Sequence, residues 1–172
     1  MEQFVQKLEY IPIGIIHSPF KEATGTPIQS ATAKKIRGIV EVYGDYVDGL
    51  RDLKGFSHII LIYHFHLADK YKLLVKPFLD HRLRGLFATR APARPNPIGI
   101  SVVRLVGIEE TKLHIENIDI VDGTPLLDIK PYVPTFDETE TYRVGWLKNQ
   151  LHKLSSATGD NRFSLDKNIH GQ

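Results

Sequence analysis

From Leu8 to Val133 apolar side chains recur at every second position, or in short unbroken runs, far more than at helical spacing, and this pattern predicts strands. Phe56 to Leu67 carries the strongest signal. Ile59, Leu61, Tyr63 and Phe65 share one face, while His58, Ile60, Ile62, His64 and His66 share the other, so a central strand is expected. Leu8 to His17 reads as an edge or bulged strand because Pro12 removes a donor from it. Gly38 to Tyr43, Lys72 to Phe78, Leu86 to Arg90, Ile100 to Val106, Lys112 to Ile118 and Leu126 to Val133 add further strands. A helical turn is expected near Tyr46 to Leu50, a polar break at Glu109-Glu110 and a hairpin turn at Asp122-Gly123. Only Val144 to Leu154 has helical spacing, with Val144, Leu147, Leu151 and Leu154 at i, i+3, i+7 and i+10. A helix there would close one end of a barrel or meet a partner chain. Ser155 to Gln172 is polar, with Phe163, Leu165 and Ile169 as its anchors.

Helices do not alternate with these strands and no repeat is visible, so parallel βαβ units are excluded. The expected fold is mostly β: a small antiparallel β-barrel over residues 1–135, followed over 136–172 by the helix and polar tail. It is not a Rossmann fold. Neither G-x-G-x-x-G after a strand nor a P-loop string is present, so any nucleoside would be bound in another way.

Composition narrows the chemistry further. With no cysteine there is no disulfide, thiolate ligand or thiol nucleophile, in keeping with a reducing cytoplasm. The first residues hold no apolar signal core and no later run could span a bilayer, so a cytoplasmic protein with no membrane partner is expected. The net charge is only +2, yet from Asp69 to Arg104 eight cations face Asp69 and Asp80 alone, whereas Asp137, Glu138 and Glu140 cluster later. A polyanion would meet a local patch.

That patch surrounds the stretch Gly85 to Val103. Pro92, Pro95 and Pro97 fix three φ angles, so Arg90, Arg94 and Asn96 are held with little freedom left to lose on binding. The same string also suits a stiff turn whose arginines serve solubility. A second constellation is His58, His64 and His66 on one strand face. His64 and His66 could share a metal with His81 or Asp80, but His58 lies about 26 Å from His66 along an extended strand. Hydrogen bonding by His66 is the better reading, and no metal is expected. The third is Asp122-Gly123-Thr124-Pro125, either an ordinary hairpin turn or a grip on ribose hydroxyls or a cationic ligand.

Gly55-Phe-Ser-His58, Phe65-His66, Phe87-Ala-Thr-Arg90, Arg94-Pro-Asn-Pro-Ile-Gly99 and Asp122-Gly-Thr-Pro125 followed by Asp128-Ile-Lys-Pro-Tyr132 arrive in an order that resembles the TsaA-like (TrmO-type) family. Ile13 to Phe20 resembles its opening strand. The resemblance implies a small β-barrel that binds S-adenosyl-L-methionine and works as a homodimer. It implies a tRNA partner, methylated at N6 of the threonylcarbamoyl-adenosine beside the anticodon. Cofactor contacts carried over by position fall on Ser30, Ala31, Thr32, His66, Leu67, Arg90, Ile100 and the turn from Asp122 and Gly123 through Thr124 and Pro125 to Leu126. In the first loop Pro27-Ile-Gln-Ser-Ala31 stands where the bacterial pattern is more basic.

Methyl transfer from a sulfonium requires in-line positioning in a water-poor pocket, which stiff loops at a barrel mouth can supply. Asn96 is then the expected acceptor for the N6 proton. Arg90 is expected on the methionine carboxylate or a phosphate, and Arg82, Arg84 and Arg94 on the RNA backbone. Two rival classes remain: a metal hydrolase using His64, His66 and His81, and a non-catalytic regulator that binds S-adenosyl-L-methionine without transferring its methyl group.

Overall fold

Six strands close a barrel, every neighbouring pair antiparallel, in a computed structural model that describes residues 7–139 and 141–164. Around the barrel they follow one another as β1 (Gly14–His17), β2 (Arg37–Val42), β7 (Lys112–Glu116), β6 (Ile98–Glu109), β3 (His58–His64) and β8 (Thr124–Pro131), which pairs back with β1. A separate ribbon pairs β4 (Leu74–Val75) with β5 (Arg84–Gly85). Burial alternates along the strands around one shared core: Ile59, Leu61 and Tyr63 of β3 point inward with Val103 and Leu105 of β6, Leu113 and Ile115 of β7 and Leu126 of β8. Each fully buried Leu or Ile contributes about 1.5–3 kcal/mol of apolar transfer. The opposite face of β3, with Ile60 and Ile62, is only half-buried, as a closed single-layer barrel requires.

A second, smaller core of Val75, Leu86, Ala91, Ala93 and Phe163, with Phe78 against it, lies beside the barrel. The arginine loop rests on it. Ala91 and Ala93 turn inward, so Arg90 and Arg94 are turned out on alternate positions. The end of the described chain straps across the same region. Gly159 N–H donates to the Thr26 carbonyl at 2.7 Å, and Phe163 is buried. Leu165 and Ile169, expected as further anchors, lie outside the described residues.

Four expectations are corrected. Leu86 to Arg90 is not a strand: Leu86–Ala88 is a 3-10 turn, because the Thr89 hydroxyl and N–H both donate to the Leu86 carbonyl, at 2.8 and 3.0 Å, and replace ladder bonds with a local closure. Lys72 to Phe78 shrinks to two paired residues. Val144 to Leu154 is not an α-helix but two 3-10 segments, Gly145–Asn149 and Leu151–Ser156, and Gly145 at φ +56° starts the first. The segment lies against the 77–91 loop rather than over a barrel end, held by the Trp146 indole donating to the Ala88 carbonyl at 2.8 Å. Finally, Asp122-Gly123 does not join a hairpin, since β7 pairs with β2 and β6 while β8 pairs with β1 and β3. The short α1 (Pro134–Asp137) follows β8, and no helix among the described residues is long and apolar enough to cross a membrane.

Candidate active site

At one barrel end, where β3 finishes and β6 and β8 begin, the loops enclose a cavity of about 320 Å³. A chain of hydroxyls leads into it from the core. Tyr63 Oη and Ser101 Oγ lie 3.0 Å apart, both buried, and Ser101 Oγ donates to Asp119 Oδ1 at 2.7 Å. With the serine proton committed to the carboxylate, the tyrosine donates to the serine, and the relay has one direction. Burial, and then the neighbouring Asp119 charge, hold the Tyr63 hydroxyl above its ordinary range, so it stays a donor. Burial also pushes Asp119 up to about 6, against the pull of the Ser101 hydroxyl, its own and the Ser30 N–H, and Arg90. Room for the Tyr63 ring exists because Gly99 is its partner across the β3–β6 ladder: a Cβ there would overlap the ring and meet Phe65 Cζ at 2.9 Å.

His66 forms the next wall. Its Nδ1 is 3.2 Å from Thr124 Oγ1, whose proton is given to the Val121 carbonyl at 2.7 Å. The ring must therefore donate from Nδ1, leaving the Nε2 lone pair as an acceptor. Burial, followed by His64, lowers its pKa against the opposing pull of Asp122, so the ring is neutral near pH 7. Arg90, exposed at the rim, donates from Nη1 to Gln29 Oε1 at 2.8 Å. Arg94 also lines the cavity, but its guanidinium donates to the Thr89 and Ala91 carbonyls at 3.0 and 3.3 Å and stacks 5.7 Å from the Phe87 ring.

Of the expected contacts, His66, Leu67, Arg90, Ile100 and Thr124 line this cavity together. Ser30, in the 3-10 turn Ser30–Thr32 with Ala31 and Thr32, reaches it only through its N–H on Asp119. Asp122 sits behind the wall. Its carboxylate accepts from Lys21 Nζ at 2.7 Å and Ser18 N–H at 3.0 Å, which hold it below the usual range and pin the first loop to the 117–123 connection. Gly123, at φ +77°, bonds back to Ile16, Pro125 pairs with Ile15 on β1, and Leu126 is fully buried in the barrel core. Asn96 is exposed and outside the cavity lining, and its carbonyl accepts from Ile98 N–H at 2.8 Å. Arg84 is committed to Asp80, at 3.0 and 2.6 Å, and stacks 5.2 Å from Trp146, while Arg82 is exposed beside it. Among the described residues no group of three or more His, Asp or Glu is placed to hold a metal, so His64, His66 and His81 form no such set.

Tyr63, Ser101, Asp119 and Gln29 were not singled out by the sequence pattern. Two signals were present: a serine at an inward position of β6, and a lone carboxylate inside the apolar run Ile118 to Val121.

The model of the tRNA-methyltransferase O N-terminal domain matches residues 15–138, which takes in all of the barrel but its first residue, Gly14. The chain belongs to this TrmO family. A probable S-adenosyl-L-methionine-binding protein of Pyrococcus abyssi is 60% identical to it over 154 residues, covering 90% of this chain and 84% of that one. The tRNA (adenine(37)-N6)-methyltransferase of Escherichia coli is 35% identical over 140 residues, covering 76% of this chain but only 60% of the enzyme. A crystal structure of TrmO from Pseudomonas aeruginosa superposes with a TM-score of 0.69 at 40% identity, covering 82% of this chain and 63% of that one. The TrmO likeness thus resides in the barrel and its loops.

Proposed function

We propose that this chain is an S-adenosyl-L-methionine-dependent methyltransferase acting on N6 of the adenosine beside the tRNA anticodon, with the 320 Å³ cavity as its donor site. The observation that carries this reading is that Arg90 and Asp119, which feel each other's charge, line one cavity walled in large part by apolar groups such as Ile98, Ile100 and Ile120. The bound donor supplies an electrophilic methyl on a cationic sulfur, beside an ammonium and a carboxylate. Arg90 suits the carboxylate, ionised Asp119 suits the positive charge, and His66 Nε2 accepts from a ribose hydroxyl or adenine amine. Tyr63 and Ser101 hold the Asp119 carboxylate in one orientation. Asn96 is exposed outside the cavity, where it would meet the incoming RNA, and the exposed Arg82, with Lys70, Lys72 and Lys76, suits phosphate. A tRNA partner supports a cytoplasmic location, and the homodimer implied by the family is tested by light scattering.

The names of the relatives support both an enzyme and a binding protein, the Pyrococcus one being named for binding alone. Labelled S-adenosyl-L-methionine incubated with bulk tRNA from cells lacking this protein, then nucleoside analysis, separates them. Label on N6 of the modified adenosine is the expected result. Donor binding with unlabelled tRNA would make the chain a sensor. Arg90→Lys should weaken donor binding about tenfold, the loss of one bidentate contact.

A further inference from the structure

Beyond the donor cavity, Arg90 and Gln29 form a shared wall with a second cavity of about 510 Å³. Its volume is in the range of a small-molecule site. Ile28, Gln29, Phe78, Thr89, Arg90 and Phe163 line both spaces, so whatever enters the second faces the first across one layer of side chains. Its own walls are aromatic and apolar. Trp146 stands on one side, fixed by its indole bond to the Ala88 carbonyl and backed by the Arg84 guanidinium, which is itself locked on Asp80. Phe87 also lines the cavity and is 74% exposed, with Arg94 stacked against it. The exposed Phe87 and the half-buried Trp146, beside fixed guanidinium groups, form a platform for a nucleobase, because every base offers a π-face and the arginines complement the adjoining phosphates. Lys76 and Arg82 flank the 77–79 wall in the chain, and both are exposed.

We propose that this second cavity is the acceptor site: it takes an adenine turned out of an RNA loop, stacked on Trp146 and Phe87, with its exocyclic nitrogen toward the Arg90–Gln29 wall. The inference rests on the methyltransferase reading and adds the acceptor side of it. In the transfer the N6 lone pair forms the new N–C bond, the S–C bonding pair remains on sulfur as a thioether, and the proton shed by N6 passes to the Asp119 carboxylate. The Gln29–Arg90 bond must part or tilt for the two spaces to connect, so both side chains act as a partition between donor and acceptor.

Trp146 is the sole tryptophan, so its fluorescence reports on this cavity alone. The full chain is titrated with a synthetic anticodon stem-loop RNA and with the same RNA made abasic at the adenosine beside the anticodon, while donor affinity is followed separately by calorimetry. The intact stem-loop should quench Trp146 and bind at least about tenfold tighter than the abasic one, and Phe87→Ala should erase that difference while leaving donor affinity unchanged. Equal quenching and affinity for the two RNAs, with normal donor binding, would place the RNA elsewhere and overturn the acceptor site alone. Absent donor affinity would overturn the methyltransferase reading beneath it.

Discussion

Asp119 is the residue on which most of the local chemistry turns. Its carboxylate is the terminus of a relay that starts at Tyr63 inside the barrel, and burial makes its charged form costly in the empty protein. The sign of the consequence follows from linkage. A carboxyl raised from 3.8 in the unfolded chain to about 6 in the folded one retains its proton longer when folded, so its contribution to stability is greatest below pH 4 and declines as pH rises through 4 to 6. Asp119→Asn removes that decline. Urea unfolding of both proteins at pH 4 and pH 7 should show the wild type losing about 2 kcal/mol relative to the variant between those values, discounted from the full shift because the residue is not wholly enclosed. An equal pH response would mean that the carboxyl titrates normally in the fold. A group that weakens the empty protein and carries charge in a cavity is an expected cost of a binding site.

At the scale of elements, β3 and β6 do most of the positioning, and their contact depends on one missing side chain. Gly99→Ala would drive a methyl group into the Tyr63 and Phe65 rings, so the variant should lose about 1–3 kcal/mol in denaturant unfolding and bind the donor more weakly as Tyr63 is displaced. An unchanged midpoint would contradict the close approach. These strands were legible because the unbroken apolar run Ile59 to Tyr63, and the β-branched, mainly apolar stretch Ile100 to Val106, suit strands with apolar groups on both faces. The short elements were not. Leu86 to Arg90 has strand composition, yet the Thr89 hydroxyl closes it locally, a contact set by geometry that periodicity does not encode. The apolar spacing of Leu147, Leu151 and Leu154 marked one face, which lines the second cavity without being buried, but could not distinguish an α-helix from 3-10 turns laid on a loop. In the site, Arg90 and His66 could be read from the chain. Asp119 and Ser101 could not be assigned, since they meet only when the 117–123 connection is brought to β6 by the closure of the barrel.

The whole molecule is a small closed barrel that delegates its chemistry to the loops at one end, with a second core holding the arginine loop rigid and a C-terminal strap completing the wall. Closure leaves no barrel edge to pair with other chains, and it fixes Asp119 and Arg90 on elements far apart in sequence. The central claim is that these two opposite charges hold a cationic amino-acid nucleoside. Calorimetry with S-adenosyl-L-methionine at pH 7.5 and pH 5 tests it most directly. Ionised Asp119 is needed, so affinity should fall about tenfold at pH 5 in the wild type, where about one carboxyl in ten remains charged, and should be weak at both pH values in Asp119→Asn. Binding of equal strength at both pH values, or no heat of binding at either, would contradict the account.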